Sequence, residues 1–524
     1  MKTLISIIAT TAFAAFAATG VANAEPKSGG TLIMGTTQKA RHLNPAVQSG
    51  IATAVPGTQI FASPLRFDEN WQPQPYLAES WSIAADGKSI TLNLRKNARF
   101  HDGKAITSED VAFSLKTVKE NHPFKSMFAP VSSVETPDAH TAILIFDKPH
   151  PAALLAMSGA LLPIIPKHIY GDGQNAKTHP ANSKTVGSGP FKLVEFKPGE
   201  HIILEKNEDY FIKDRPYLDK IIIKNFKDST STTLAMDKGE LNILPFMSAT
   251  RDIGRLKKNK DLTVTNKGYS AVGPMNWLAF NTKNQYLQDK RVRQAIGYSV
   301  DRNFIVNALH GGFSTPATGP VAPGSPFYAA DVNKFDLNLD KAKTLLDEAG
   351  FKADKDGVRF SLKVDYIPGP AEMQKNVAEY LKPQLKKVGI DVQLRAAPDF
   401  PTWAKRVGGH DFDMSMDVVF NWGDPVIGVH RTYTCGNIRK GVIWSNTQSY
   451  CNEKVDGLLA LAAVEQDQSK RITIYQEAQK IIVDDAPQIF INTLPYHTAY
   501  SNKIGNAPLT IWGMMSPMDN VYIK

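Results

Sequence analysis

The sequence is poor in the features that mark several large classes of protein. Its 524 residues contain only two cysteines, which excludes a disulfide-dense scaffold. Beyond residue 24, no segment reaches the run of about 18 apolar residues that a membrane-spanning helix needs. Internal repeats and low-complexity segments are lacking as well. Hydrophobic residues make up 42% and charged residues 21%, so we expect a globular chain of two or three domains that is not embedded in a membrane.

Strong charge of one sign is also lacking. The formal net charge of +9 is mild for this length, and the basic residues are dispersed apart from short clusters such as Arg255–Lys260. No basic helix or aromatic-basic motif of the kind used by nucleic-acid binders is present. We therefore expect no nucleic-acid partner.

Catalytic and cofactor motifs are missing too. The Gly-rich segment Gly187–Phe191 lacks the Lys-Ser/Thr of a phosphate loop and leads into a strand pattern. There is no G-x-S-x-G and no H-E-x-x-H, and the 12 histidines are scattered without the spacing of metal ligands. We expect no catalytic residue, no metal and no cofactor. A ligand carrier is favoured, with an exported hydrolase that uses carboxylates as the alternative class.

What is present begins with an export signal. Lys2 supplies a positive n-region, Leu4–Ala18 is mostly apolar, and Ala22-Asn23-Ala24 is a small-x-small cleavage site. We expect residues 1–24 to be a signal peptide that is cleaved after Ala24. In an exported protein, the even count of cysteines suggests one disulfide between Cys435 and Cys451, with two free thiols as the alternative.

The chain alternates between two kinds of secondary-structure pattern. From about residue 340 to 395 the order is helix, strand, helix, strand, which favours parallel α/β units. The first 270 residues are richer in hairpins, for example at Asp86-Gly87. We therefore expect an α/β domain beside a more mixed one.

Three helices carry local signals. Thr107 is a candidate N-cap, with Asp110 three residues later and an apolar stripe beyond it. Asp340 is a candidate N-cap for a helix over residues 341–349, and Pro149–Ala160 also has a helical pattern.

The segment Asp411–Pro425, DFDMSMDVVFNWGDP, alternates apolar and polar residues. This period of 2 predicts a strand with one buried face and a polar outer face. The Gly-Asp-Pro at its end stops the strand, because proline cannot donate to a sheet. The strand would then present Asn421, Trp422 and Asp424 at an edge where a ligand could be held. A core strand with a polar surface and no ligand is the plainer interpretation.

The segment Leu77–Val111, LAESWSIAADGKSITLNLRKNARFHDGKAITSEDV, resembles the signature region of bacterial extracellular solute-binding proteins of the peptide/nickel type, family 5. The likeness continues in order through Gly187–Phe196, Asn207–Phe211, Leu278–Arg302 and Ala342–Phe351. It is greatest to the dipeptide-binding branch, which also carries a cysteine pair in the corresponding late region.

This resemblance implies an α/β fold of the periplasmic binding protein type (type II, cluster C) with two lobes. Lobe I would comprise residues 25–272 plus 496–524, with an extra subdomain at about 60–185, and lobe II residues 273–495. Two crossovers near Tyr269–Trp277 and Ile491–Tyr496 would form the hinge that closes the cleft. A monomer in the periplasm would deliver its ligand to an inner-membrane ABC permease complex.

The resemblance also implies how a ligand would be held. A carboxylate would bind the ammonium of a peptide and an Arg or Lys its carboxylate. In the dipeptide binders the ammonium-binding Asp lies two residues before a Gly-Asp-Pro, whereas this chain has Asn421 there. Asn421→Asp would therefore be expected to raise the affinity for ligands with a free ammonium.

The ligand is accordingly expected to be a dipeptide or short peptide, with non-peptide solutes as the alternative: an opine-like amino-acid conjugate, a metal chelate, haem or an oligosaccharide. The candidate ligand contacts are Arg41, His42, Trp403, Arg406, Asn421, Trp422 and Asp424.

Overall fold

The structure is a computed structural model that describes residues 26–369 and 372–524. The predicted signal peptide, residues 1–24, lies outside the described residues. The strands are β1 Thr31–Thr36, β2 Leu65–Phe67, β3 Pro73–Pro75, β4 Ala78–Ile83, β5 Ser89–Leu94, β6 Val131–Asp138, β7 Thr141–Phe146, β8 Phe191–Lys197, β9 His201–Lys206, β10 Lys220–Asn225, β11 Ile243–Met247, β12 Leu262–Thr265, β13 Pro274–Phe280, β14 Phe360–Tyr366, β15 Ile390–Arg395, β16 Met414–Phe420, β17 Gln488–Thr493, β18 His497–Ser501, β19 Ile504–Gly505 and β20 Tyr522–Ile523.

The helices vary from single turns to five turns. They are α1 Ile51–Ile60, α2 Ser108–Asn121, α3 Ala153–Ala156, α4 Lys167–Tyr170, α5 Ser229–Asp237, α6 Thr250–Leu256, α7 Lys290–Tyr298, α8 Arg302–Phe304, α9 Leu339–Glu348, α10 Met373–Lys386, α11 Phe400–Gly408, α12 Pro425–Gly428, α13 His430–Tyr433, α14 Glu453–Val464 and α15 Gln468–Asp485.

A seven-stranded mixed sheet draws strands from both ends of the chain. Its order is β12-β18-β11-β1-β10-β9-β8, and β1 is parallel to both of its neighbours. Strand β18 comes from near the C-terminus and pairs with β11 and β12 in antiparallel fashion. The last part of the chain therefore returns to the sheet that the first part builds.

A four-stranded antiparallel sheet, in the order β4-β5-β7-β6, is inserted within that first part. The predicted hairpin at Asp86-Gly87 is confirmed, because it joins β4 to β5 and Gly87 has a φ of 66°. Helix α2 begins as predicted at Thr107, with Thr107 and Asp110 forming a capping box. The helix predicted over Pro149–Ala160 is reduced to the single turn α3. Pro151 has no backbone N–H to donate, and turns and a bend occupy residues 157–160.

A five-stranded sheet is formed by the later part of the chain, in the order β15-β14-β16-β13-β17. The predicted parallel α/β unit is confirmed, since β14 and β15 are parallel and α10 connects them. The N-cap predicted at Asp340 is wrong. Asn338 caps α9 instead, its side chain accepting a hydrogen bond from the Lys341 backbone N–H at 2.9 Å, so the helix begins two residues earlier.

An aromatic cluster lies where the chain passes between the two large sheets. Tyr269 precedes β13 and Tyr496 follows β17, and their ring centres are 5.5 Å apart. Phe246 packs against both rings, at 5.2 Å and 5.6 Å, and its backbone N–H donates to the Tyr269 hydroxyl. The two segments that connect the large sheets, at Tyr269 and at Tyr496, are thereby held side by side. The hinge role expected for them stays a prediction.

The capping box of α2 offers a test of local stability. Asp110 accepts hydrogen bonds from the Thr107 N–H at 2.9 Å and from the Lys167 N–H at 3.0 Å, and it is buried. Asp110→Ala is expected to lower the free energy of unfolding by about 1–3 kcal/mol, because it removes a cap and leaves a buried donor unpaired. The midpoint of urea unfolding measures this. Glu109→Ala is the matched control: Glu109 is exposed, and its ion pair with Lys167 at 2.8 Å is exposed as well, so the midpoint should move much less. Equal effects of the two variants would contradict the prediction.

Candidate functional site

Strand β16 forms the centre of the site, and both of its faces are buried. It lies between β13 and β14 in the five-stranded sheet. Met414 and Met416 face the large apolar core of that sheet, while Ser415 and Asp417 on the opposite face are only 1% and 4% exposed. The prediction of a polar outer face is therefore wrong.

The physical reason is a second covering layer. Asp365 pairs with Ser415 in register, so both lie on the same face of the sheet. Arg406 of α11 reaches the Asp365 carboxylate at 3.3 Å, which places α11 over this face. A parity pattern reports which residues share a face but does not report whether another element covers it.

Asn421 joins three segments immediately after β16. Its backbone N–H donates to the Val272 carbonyl at 2.9 Å. Its side-chain amide donates to the Pro320 carbonyl at 3.0 Å, and its side-chain oxygen accepts from the Ala322 N–H at 2.7 Å. Gly273 makes this approach possible, because a Cβ at that position would lie 2.9 Å from the Asn421 side-chain oxygen. The Asn421 amide thus has partners for both of its polar atoms inside the protein.

Trp422 packs the end of β16 against the part of the chain that carries the seven-stranded sheet. Its indole stacks on Trp512 at 6.4 Å and lies 5.5 Å from the ring of Phe124. It has a φ of 53°, a conformation that is uncommon outside glycine, and is 5% exposed. The neighbouring Gly423 N–H donates to the Ala271 carbonyl at 2.6 Å. Trp422 therefore serves as an apolar contact between the two parts of the molecule.

Asp424 forms a buried ion pair with Arg471. Each carboxylate oxygen accepts from the guanidinium at 2.7 Å, and neither side chain is more than 2% exposed. One oxygen also accepts from the Val426 N–H at 3.0 Å and so caps α12. Burial opposes ionisation of Asp424, but Arg471 outweighs it and holds the pKa of the carboxyl below its usual value.

The other predicted contacts lie elsewhere. Trp403 is completely buried in a small apolar cluster that also contains Ala397, Val407 and Phe412. Arg406, three residues later in α11, contributes to the neutralisation of Asp365 together with Arg395.

Arg41 is exposed, while His42 is partly buried and accepts through Nδ1 from the Asn44 N–H. Burial and then Arg41 lower the pKa of His42. Among the described residues, no hydrogen bond or ion pair joins Arg41 or His42 to residues 421–424. Residues 421, 422 and 424 follow β16 directly, whereas the hydrogen bonds of Arg406 go to Asp365 and Ala396. Ligand contact by any of the seven stays a prediction.

Arg431 is a residue of this site that sequence reasoning missed. Its guanidinium lies 4.9 Å from the centre of the Phe124 ring and donates to the Phe420 carbonyl at 3.0 Å. Burial lowers the pKa of Arg431 to about 10, although Asp417 opposes this shift. Its only signal in the sequence was a basic residue shortly after the Gly-Asp-Pro turn.

The predicted disulfide is confirmed. Cys435 and Cys451 are bonded, and the loop that they close carries Trp444. Within residues 26–369 and 372–524, no three His, Cys, Asp or Glu side chains are grouped to hold a metal ion. Over the same residues, none of the helices is long and apolar enough to cross a membrane.

Comparisons with known proteins agree on one family. The profile of the bacterial extracellular solute-binding proteins, family 5 Middle, matches residues 72–448. The oligopeptide-binding protein AppA of Bacillus subtilis is 28% identical over 500 residues, which are 92% of this chain and 89% of that protein. Heme-binding protein A of Haemophilus influenzae is 27% identical over 527 residues, which are 94% and 90% of the two chains.

A solved structure extends the likeness to three dimensions. The ABC transporter substrate-binding protein CtaP of Listeria monocytogenes superposes with a TM-score of 0.82 at 27% identity, covering 95% of this chain and 100% of that one. The two-lobed α/β fold predicted from the sequence is thereby confirmed.

The ion pair at Asp424 generates a stability prediction. Asp424→Asn is expected to lower the free energy of unfolding by about 3–5 kcal/mol, because Arg471 would be left buried without its counter-charge. In the wild type this stabilisation is present above the ordinary aspartate pKa and is lost as the pH falls through the lowered pKa of Asp424. Urea unfolding at several pH values measures both effects. Asp331→Asn, which removes the exposed pair with Lys480, is the control and should show neither.

The environment of Asn421 alters what Asn421→Asp should do. The substitution replaces the amide that donates to the Pro320 carbonyl with a carboxylate oxygen, so two oxygens would face each other. We expect a loss of about 1–3 kcal/mol in stability and no gain in ammonium affinity, measured by thermal unfolding and calorimetry. Asn506→Asp is the control, because its amide donates to the Asn520 carbonyl in an exposed setting. Raised affinity for free-ammonium ligands without destabilisation would instead support the expectation drawn from the resemblance.

Proposed function

The chain belongs to the bacterial extracellular solute-binding proteins of family 5, and from this membership we propose that it captures a dipeptide or short peptide in a cleft between two lobes. It then delivers this ligand to the permease of an ABC importer. The observation that carries the peptide assignment is the 28% identity to an oligopeptide-binding protein across 92% of this chain. The permease partner is supported by the superposition on an ABC transporter substrate-binding protein.

The division into lobes follows the sheets. Lobe I would comprise residues 25–272 plus 496–524, which include all strands of the seven-stranded sheet, and residues 60–185 would form its extra subdomain. Lobe II would comprise residues 273–495, which include all strands of the five-stranded sheet. The passages at Tyr269 and Tyr496 would be the hinge, because only these short segments connect the two sheets through the backbone.

Two kinds of contact would bind a peptide in such a cleft. Charge-assisted hydrogen bonds to the two termini of a peptide are among the strongest neutral-pH contacts available, and backbone groups add strand-like hydrogen bonds. Water in roomy side-chain pockets would allow loose specificity. We further propose that the protein works in the periplasm after cleavage at Ala24 and that it acts as a monomer.

A non-peptide solute is the second candidate. A relative of almost equal identity is a heme-binding protein, and Asn421 uses both of its polar side-chain atoms inside the protein. An opine-like conjugate, a metal chelate, haem or an oligosaccharide would fit the same transport role. An exported hydrolase is disfavoured by membership of a solute-binding family.

Calorimetry against two panels of ligands tests the proposal. The first panel contains free-amino peptides of two to nine residues, and the second contains opines, a nickel–histidine chelate and haem. We expect saturable binding of one or more short peptides with a dissociation constant in the micromolar range or below, because peptide termini give charge-assisted contacts. Saturable binding of a second-panel solute, with no heat from any peptide, would contradict it. Mass spectrometry of the ligand retained by the purified protein provides an independent measurement.

A further inference from the structure

A groove of about 240 Å³ lies beside the segment that connects β17 to β18. One wall contains Lys257, β12 and the residue after it, and His497 of β18. The other wall is the segment 312–315, whose last residue accepts through its carbonyl from the Thr493 N–H at 2.8 Å. The groove therefore lies between the part of the chain with the seven-stranded sheet and the part with the five-stranded sheet. Its lining residues are Lys257, Val264, Thr265, Asn266, Gly312, Phe313, Ser314, Thr315 and His497.

Phe313 connects the two walls. Lys257 Nζ lies 4.8 Å from the centre of its ring, and the centre of the His497 ring lies 5.5 Å away with an interplanar angle of 84°. Helix α6 approaches the same ring so closely that a Cβ on Gly254 would lie 3.7 Å from it. These contacts set the positions of Lys257 and His497 relative to the segment 312–315. A contact with an aromatic face holds the ammonium in place without neutralising its charge.

The groove carries positive charge without a carboxylate. Lys257 belongs to the short basic cluster Arg255–Lys260 and lies at the surface. Other surface lysines, such as Lys167, Lys290 and Lys480, pair with Asp or Glu, whereas Lys257 takes part in none of the ion pairs found among the described residues. None of the described residues that line the groove is Asp or Glu. A concave surface of one sign attracts ions of the opposite sign, so the groove favours an anion.

His497 supplies a second group that can become positive. It is 4% exposed, and its Nδ1 lies 2.9 Å from the Pro495 carbonyl. Nδ1 therefore carries the hydrogen, and Nε2 is the nitrogen left for the groove. Burial, and then Lys257, lower the pKa of His497, although the Pro495 carbonyl opposes the shift. The ring is neutral near neutral pH and becomes a donor through Nε2 when it is protonated.

Neutral donors complete the groove. Among the described residues, the Ser314 N–H has no hydrogen-bond partner, and the Ser314 hydroxyl lies 3.3 Å from His310 Nδ1. Asn266 adds a side-chain amide directly after β12. An ammonium, an imidazole and neutral N–H groups around one concavity are the groups that bind the oxygen atoms of anions.

We propose that this groove binds a small oxyanion, with Lys257 and His497 contacting it from one wall and Ser314 from the other. Phosphate, sulfate and carboxylate groups share the required chemistry. The inference does not depend on peptide capture, because the groove shares no residue with the segment 421–424 at the end of β16. A bound anion would connect the two walls beside the proposed hinge.

Calorimetry of the full chain with sulfate tests the site, because the charge of sulfate stays constant from mildly acidic to neutral pH. Lys257→Gln removes the ammonium. Lys258→Gln is the matched control, since Lys258 is exposed and adjacent but does not line the groove. We expect sulfate to bind the wild type with a dissociation constant of about 1 mM or below. Lys257→Gln should weaken this binding roughly 10- to 100-fold and Lys258→Gln less than about twofold. Equal weakening by both variants would mean that sulfate only screens the basic cluster, and it would overturn the site.

The protonation of His497 provides a second measurement. Among the described residues that line the groove, Lys257 is the other charged group, since those from β12 and from the segment 312–315 are uncharged. Sulfate favours the protonated ring, so its binding should strengthen as the pH falls from about 8 towards about 6 and should raise the pKa of His497. NMR of ring-labelled histidine measures this pKa with and without sulfate. His497→Asn identifies the signal and should flatten the pH dependence, while its amide keeps a donor for the Pro495 carbonyl. An unchanged pKa at saturating sulfate would overturn the role of His497.

Two sources could supply the anion, namely a soluble oxyanion or the headgroup of an anionic phospholipid. Phosphate, acetate and glycerol 3-phosphate are compared by calorimetry, and vesicles of phosphatidylglycerol are compared by co-sedimentation. Both sources support the site. Vesicle binding that Lys257→Gln abolishes identifies a headgroup, and binding of a free anion without vesicle binding identifies a soluble one. If no anion and no vesicle binds in a manner that depends on Lys257, the inference is overturned.

The two walls belong to the two proposed lobes, so an anion that bridges them favours the arrangement in which the walls are close. If the proposed function holds, sulfate and a peptide in the cleft should strengthen each other's binding by the same factor. Sulfate binding that depends on Lys257, in a protein that binds no peptide, would support the groove and overturn peptide capture. Peptide binding together with equal sulfate affinity of wild type and Lys257→Gln would do the reverse.

Discussion

The burial of β16 on both faces is the constraint on which the rest of the site depends. A strand in the middle of a covered sheet leaves each of its polar side chains away from water, where an unpaired group is costly. The protein provides partners for these buried polar side chains in several different ways. Asp365, opposite Ser415 in the sheet, forms ion pairs with two arginines. The Asn421 amide hydrogen-bonds to two backbone groups, and Asp424 forms an ion pair with Arg471. Asp417 differs because its partners, the Val418 N–H and the Trp444 side chain, carry no charge, and burial raises its pKa to about 7.

The same constraint explains how the two large sheets are joined. Asn421 and Gly423 hydrogen-bond to the backbone that leads into β13, so the end of β16 and the first passage between the sheets are held as one unit. Trp422 lies between them in sequence. Its backbone is left-handed, and its buried side chain packs on Trp512 and Phe124. Backbone hydrogen bonds that fix the position of the strand end are therefore combined with an apolar contact to the other part of the chain. Such a combination would suit the hinge motion proposed for the two lobes.

Local features of this fold were predictable from the sequence, because their causes lie within a few residues. The capping box at Thr107 and Asp110, the hairpin at Asp86-Gly87 and the parallel β14-α10-β15 unit all have this character. The disulfide followed from cysteine count and export. Even a local signal fails where two candidates compete, as when Asn338 rather than Asp340 caps α9.

The site was less predictable, because its character comes from residues distant in sequence. Parity placed Ser415 and Asp417 on one face correctly but could not reveal that α11 and the disulfide loop cover that face. Nor could it show that the partner of Asp424 is Arg471, 47 residues away. The motif comparison directed attention to Asn421 as a lost charge. The structure instead shows an amide whose two polar atoms both have partners inside the protein.

A buried carboxylate without a counter-charge is difficult to explain as a device for stability. Replacing Asp417 with an uncharged residue would remove an unfavourable burial, and marginally stable proteins retain such groups chiefly where function requires them. Because burial raises the pKa of Asp417 to about 7, ionisation of this carboxyl lowers the stability of the fold progressively as the pH rises from the ordinary aspartate pKa towards 7.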